Sequence, residues 1–465
     1  MSPTKNRQLR AGNLYFGGDS ALPAAASSKP AAAPPDTGSP PSFHLALAAI
    51  DKRFAELNAD LRKINHALHS HPETGFHEVF AHATLTDFLQ SLGFSVTRHA
   101  YGLDTAFEAS ATGCNTTSDS NAADAANPPG RLVIFCAEYD ALPGIGHACG
   151  HNLIATASLA AFLGAAAALR QTGQAGRLRL LGTPAEEGGG GKAILLANGA
   201  LEPRADIAAA IMAHPGGTPA GLTARGAVGG RTVASGKVKV EFHGRTAHAA
   251  MEPWKGRNAL DAAVAAYTNV SMMRQQIKTD ERIHGVIEEG GSVPNVIPEY
   301  TRMNWYVRGP TVESTNALLA RATACFEVGA AAAGCTTSYI HSITYKDFRP
   351  NKPLCAAYAD NMAALGIDVI RDTQMLIAAS TDMGNVSHEV PSFHGGFFIP
   401  SDPSVAAHNP RFAECAGTDE AHERALECAR GMALLAFRVL TEDGLAEAVR
   451  AEFEEQQRTD AVVDS

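Results

Sequence analysis

Between residues 43 and 68 the apolar positions Leu47, Ile50, Phe54, Leu57, Leu61, Ile64 and Leu68 recur three and four apart, which predicts one amphipathic helix. A second helix is predicted over 78–92, stopped by Gly93 and followed by the strand-like FSVTRH. The run LVIFCAEY, and then residues 178–182 and 208–213, are apolar without alternation, as strands covered on both faces are; helical sequence precedes the last two. These patterns predict an α/β domain with a mostly parallel sheet flanked by helices.

The period changes near residue 230. TVASGKVKVEFHG alternates as a half-buried strand, 259–273 reads as a helix, IHGVIEEG and TRMNWYVRG as strands, 311–332 as a helix and TTSYIHSITY as a closing strand. The order β-α-β-β-α-β is that of a ferredoxin-like α+β unit. A small domain over 230–346 is therefore predicted to interrupt a discontinuous larger one, 43–229 and 347–465. The second part of the larger domain carries a helix at 354–365, loops crowded with His and Asp, and a long helix over about 420–440. Residues 1–42, rich in Ala, Pro, Ser and Gly, are expected to form a disordered tail, and the polar stretch 113–131 a surface insertion.

Composition narrows the function. The formal charge of -10, from 38 basic against 48 acidic side chains, opposes nucleic-acid and anionic-membrane partners, and neither is expected. No stretch approaches the ~20 apolar residues of a spanning helix, the Ala-rich segment 155–169 being too short. The first forty residues lack the apolar core of ~7–15 residues of an export signal. The cysteines are scattered without CxxC pairs, so reduced thiols and a cytoplasmic setting are expected, Cys149 being a special case.

Chemistry concentrates where predicted strands end, the edge at which parallel sheets bind ligands. AEYDALPGIGHACGHN, 137–152, offers Glu138, Asp140, His147, Cys149 and His151, and the Cys149/His151 pair suits zinc and its neighbours. TPAEEGGGGK, 183–192, sets Glu186 beside Glu187; two adjacent carboxylates ahead of four glycines repel each other unless a cation sits with them. IMAHPGG brings His214 to the same edge. Each fragment alone is compatible with a packed or solvated turn. Three successive strand ends together point to a metal site.

HACGH, AEEGGGG, AHPG, GRTAHA and VPNVIP, in this order across about residues 45–440, resemble the M20 family of metallopeptidases and amidohydrolases. STDMGNVSHEVP, 380–391, is similar to the group within it that includes Xaa-Arg dipeptidases and p-aminobenzoyl-glutamate hydrolases. The resemblance implies that Cys149 bridges two divalent ions, zinc foremost with manganese or cobalt as alternatives. It makes His151, Glu187 and His214 ligands, with His408 of AHNPRF as the distal one and His388 and His394 as rivals for that place. It implies further that Glu186 is the general base and Asp140 the carboxylate orienting a metal-site histidine. His248 would reach a partner subunit's active site and stabilise an oxyanion, while Asn295 and Arg308 position substrate.

The implied activity is metal-dependent hydrolysis of the amide bond of a dipeptide or N-acyl amino acid, in a homodimer joined through the inserted domain, which also serves as a lid. The alternatives are a biosynthetic enzyme acting on a specialised amide metabolite and a non-catalytic binding protein on the same fold. Two departures bear on substrate preference: Asn152 stands where many relatives have Asp, and Ser380-Thr381-Asp382 where many have S-E-D.

Overall fold

The computed structural model describes residues 41–113, 130–372 and 374–463; nearly all of the predicted tail and of the 113–131 insertion lies outside the described residues. Two compact units emerge. Among the described residues, the first comprises those through Arg231, Arg349–Ile377 and those from Val386 onward, and the second Thr232–Phe348 with Ala378–Asn385.

In the first unit the predicted amphipathic helix is Pro41–Ser70, burying Ile50, Leu61 and Leu68 on one face, and the next helix is Val79–Ser91. The eight-stranded sheet runs in the order Ser95–Arg98, Phe107–Thr112, Arg177–Gly182, Leu132–Ala137, Ile207–Gly217, Ser392–Ile399, Gly226–Val228, Ile370–Arg371. The four strands from Arg177–Gly182 to Ser392–Ile399 are parallel, and antiparallel pairings flank them on both sides. Every residue of Leu132–Ala137 is buried, which is why its sequence does not alternate.

Helix His151–Thr172 is longer than the Ala-rich run alone indicates. Its 22 residues are long and apolar enough to cross a membrane, but 94% of the apolar window is buried within the protein, where it belongs to the core. Small side chains allow close packing there. A Cβ added at Gly164 would lie 2.9 Å from Phe54 and 3.2 Å from Ile50 of helix Pro41–Ser70.

Two elements differ from the sequence expectation. Ser392–Ile399 lies in the region read as loops, yet it is a central strand, parallel to Ile207–Gly217. Pro391 ahead of it and Gly395-Gly396 within it mask the pattern, because both residue types normally weaken strands. Phe107–Thr112, which extends the sheet beside Arg177–Gly182, also goes unmarked by the sequence pattern.

In the second unit the strands Arg282–Glu289, Tyr300–Gly309, Ala234–His243 and Thr336–His341 form one antiparallel sheet in that order, the ferredoxin-like arrangement. Helices Ala259–Met273 and Val312–Ala333 enclose a core with Val238, Val240, Phe242, Met303, Trp305 and Val307. Residues 378–385, assigned from sequence to the larger domain, sit instead in this unit. Val233 N–H donates to Ala379 O (3.0 Å), Arg308 to Ser380 Oγ (2.9 Å) and Asn385 Nδ2 to Thr344 O (3.0 Å). The chain thus enters the second unit twice.

Candidate metal centre

The buried strand Leu132–Ala137 ends at Glu138 and Asp140, both fully buried. The loop that follows turns back through Gly150 at φ +79°, where a Cβ would come within 2.6 Å of Pro215 Cγ. Only glycine satisfies both demands. That turn launches helix His151–Thr172 and puts His151 in its first turn. His151 Nδ1 lies 3.0 Å from Asp140 Oδ1, and Asp140 Oδ2 accepts the Glu187 N–H at 2.8 Å. With Nδ1–H donating to the carboxylate, Nε2 is the nitrogen that would give up its proton to bind an ion.

The second strand, Arg177–Gly182, leads into the AEE turn. Ala185 sits at φ +58°, uncommon for a residue with a side chain. Glu78 holds it there: one oxygen of this buried carboxylate accepts the Ala185 N–H (2.8 Å) and the other the Thr105 hydroxyl (2.8 Å). From the third strand, His214 Nδ1 contacts Pro215 O at 2.8 Å while Nε2 approaches Cys149 Sγ to 3.3 Å. His408, also at positive φ, anchors its N–H on Ala148 O (2.8 Å) and brings Nε2 to 3.3 Å from Glu187 Oε1.

Within the first unit three groups of potential ligands result, each with its donor atoms within 4.8 Å of one another: Cys149, His151 and His214; Cys149, Glu187 and His408; and His151, Glu186 and Glu187. Cys149 is common to the first two. Among the described residues His388 and His394 fall in none of these groups. Burial, reinforced by His214, holds His394 down at about 3. His147 is likewise outside; burial, with His151 and His69, lowers it to about 3, and its Nε2 contacts Leu68 O.

The electrostatics favour positive charge at this point. Burial opposes protonation of His151, but the Asp140 carboxylate and the Cys149 sulfur outweigh it and raise the imidazole well above its ordinary value. Burial would raise Glu187, yet His408 and His151 pull it down to about 2. Burial pushes the Cys149 thiol up and His214 down. Buried His151 Nε2 and Glu138 Oε2 make no hydrogen bond. A thiol, three imidazoles and a carboxylate, one of the imidazoles with a buried nitrogen (His151 Nε2) that makes no hydrogen bond, fit divalent metal ions of the zinc type.

The remaining predicted site residues belong to the second unit. His248 lies on the short strand Ala247–His248, opposite Val296, and Ala249 N–H donates to Asn295 O at 3.0 Å, so His248 and Asn295 are neighbours. His248 Nδ1 accepts the N–H groups of Ala250 (3.2 Å) and Met251 (3.1 Å), which leaves its proton on Nε2. Arg308 is half-buried beside Ser380, and burial lowers its pKa. Sequence reasoning passed over Glu78 and Lys192. Each is recognisable only once its burial is known, although Lys192 closes the AEEGGGGK motif.

Residues 134–433 match Peptidase family M20/M25/M40. The chain is 39% identical over 432 residues to the Xaa-Arg dipeptidase of Mus musculus, covering 90% of this chain and 95% of that protein. It is 31% identical over 303 residues to a p-aminobenzoyl-glutamate hydrolase chain of Escherichia coli, covering 61% of this chain and 58% of that one. Its fold is shared with a solved dinuclear metal-binding peptidase of Bacillus subtilis from the M20 family, with a TM-score of 0.58 at 19% identity over 83% of this chain and 99% of that one.

Proposed function

The chain belongs to peptidase family M20/M25/M40, and from that membership we propose that it hydrolyses the amide bond of a dipeptide or N-acyl amino acid. In this reading two divalent cations, zinc foremost, would be held by Cys149, His151, Glu187, His214 and His408, Cys149 being the residue that belongs to two of the donor groups. The observation that carries the proposal is the convergence of these five side chains, drawn from four separate segments, into groups no wider than 4.8 Å. Identity of 39% over 95% of an Xaa-Arg dipeptidase makes a dipeptide with a C-terminal arginine the first substrate to try.

Bound ions would supply Lewis acidity at the scissile carbonyl and lower the pKa of water from its bulk 15.7 toward about 7. Glu186, next to Glu187 and almost fully buried, takes the proton of the attacking water and returns it to the leaving amine. Asp140 fixes the tautomer of His151 and the backbone of Glu187 with its two oxygens. His248 would reach into the active site of a second copy and donate from Nε2 to the developing oxyanion there. Arg308 offers a planar fork to a substrate carboxylate, with Asn295 as a second positioning group.

The protein acts as a homodimer in this proposal. Strand Arg282–Glu289 is an edge of its sheet, and Val286 on it is 60% exposed. Val264 and Met272 on helix Ala259–Met273 and Ile287 beside Val286 are exposed too, which is apolar surface suited to a second copy.

Purified protein loaded with Zn²⁺ or Mn²⁺ is to be assayed on a panel of Xaa-Arg and other dipeptides, p-aminobenzoyl-glutamate and simple N-acyl amino acids. Release of a free amino acid, abolished by a chelator and restored by metal, supports the proposal. Two bound ions with no turnover of any member would favour a binding protein instead.

A further inference from the structure

Glu138 has no task in the ligand set above, yet its side chain is completely buried at the carboxyl end of the central strand. One oxygen, Oε1, contacts the ammonium of Lys192, itself only 1% exposed. A buried pair of this kind is costly unless its remaining lone pairs are satisfied as well. The other oxygen, Oε2, is buried and makes no hydrogen bond. It lies 3.6 Å from His151 Nε2, which is buried and makes none either.

That separation is too long for a hydrogen bond, and the His151 proton is committed to Asp140 through Nδ1. It matches another relationship. Two donors bonded at about 2.0–2.2 Å to one zinc ion with tetrahedral angles stand about 3.3–3.6 Å apart. Glu187 Oε1, already in the ligand set, lies farther from the same nitrogen, at 3.9 Å.

We propose that Glu138 is a sixth protein ligand of the metal centre, its Oε2 joining the ion held by His151 while Lys192 retains Oε1 and keeps the carboxylate monodentate. The inference rests on the metal-dependent reading above and adds a ligand to it. It also accounts for a lysine buried beside a cation site: the ammonium fixes which oxygen faces the ion.

Glu138→Ala and the near-isosteric Glu138→Gln are to be compared with the parent by metal titration against a chromogenic chelator and by the absorption spectrum of the Co²⁺-substituted protein. Loss of at least about tenfold in affinity for one ion, the other staying within about threefold, is expected together with a shifted Co²⁺ spectrum. An unchanged Co²⁺ spectrum overturns the ligand assignment whatever the affinity, because loss of a directly bonded oxygen alters the ligand field. Lys192→Met provides a check that needs neither Glu138 variant to fold. With Glu138 bound to an ion, the drop in melting temperature caused by this substitution shrinks when Zn²⁺ is added. An equal drop with and without Zn²⁺ makes Glu138 a partner of Lys192 alone and overturns the proposal. A parent that binds no divalent ion at all brings down the metal-dependent reading, and this inference with it.

Discussion

Asp140 serves two of the proposed ligands at once, one oxygen at His151 Nδ1 and the other on the Glu187 backbone. Asp140→Ala should therefore weaken metal binding by about 10–100-fold, read by equilibrium dialysis against a chelator. Parental affinity would mean that neither contact matters to the ions. Glu186→Gln should behave in the opposite way, with metal content intact and kcat lower by about 10²–10⁴-fold. Activity within tenfold of the parent would remove Glu186 from the role of base. Sequence alone could nominate these residues because their types are hard to explain otherwise at three strand ends. It could not nominate Glu78, whose contact with Ala185 spans 107 positions and depends on burial that no local pattern announces. The same holds for Lys192, since a lysine after four glycines reads as a solvated charge until the structure buries it.

The AEE turn illustrates how one element supports another. Ala185 keeps its positive φ because the Glu78 carboxylate captures its N–H, so Glu78→Ala should cost about 1–3 kcal/mol of stability through a buried N–H left unpaired. Denaturant titration checks this, and Glu78→Gln, which retains an acceptor oxygen, should cost less. Helix Asp419–Thr441 carries a pH-sensitive contact of its own. His422 is buried with Nε2 3.3 Å from Asn58, and burial, aided by Arg62 and His66 and opposed by Asp419, lowers its pKa to about 4. An unfolded histidine titrates near 6.5, so the unfolded chain takes up the proton first. Stability from this contact is full above about pH 6.5 and falls as the pH drops toward 4. His422→Asn should flatten that decline in denaturant titrations at pH 7, 5.5 and 4.5; parallel declines in parent and variant would refute it. At this scale periodicity served the long helices and the alternating strands well. It failed at Ser392–Ile399, where a paired glycine inside a buried strand imitates a loop.

At the scale of the whole molecule, the break in period near residue 230 was enough to reveal an inserted unit, because a half-exposed antiparallel sheet and a buried parallel one are written in different patterns. The short return at 378–385 was not legible, since eight residues without period carry no mark of the unit they join. If two copies associate along the edge strand Arg282–Glu289, Val286→Lys should convert a dimer into a monomer by light scattering, the charge being incompatible with a strand pairing across that edge. A monomeric parent would dismiss that interface. Helix His151–Thr172 carries a further implication, since it begins at a proposed ligand and then runs buried through the hydrophobic core. Its amide protons can reach solvent only when the entire domain opens, whereas those of the 185–190 turn need only a local opening. Deuterium uptake after chelation should accordingly rise first in the turn, with the helix amides still protected.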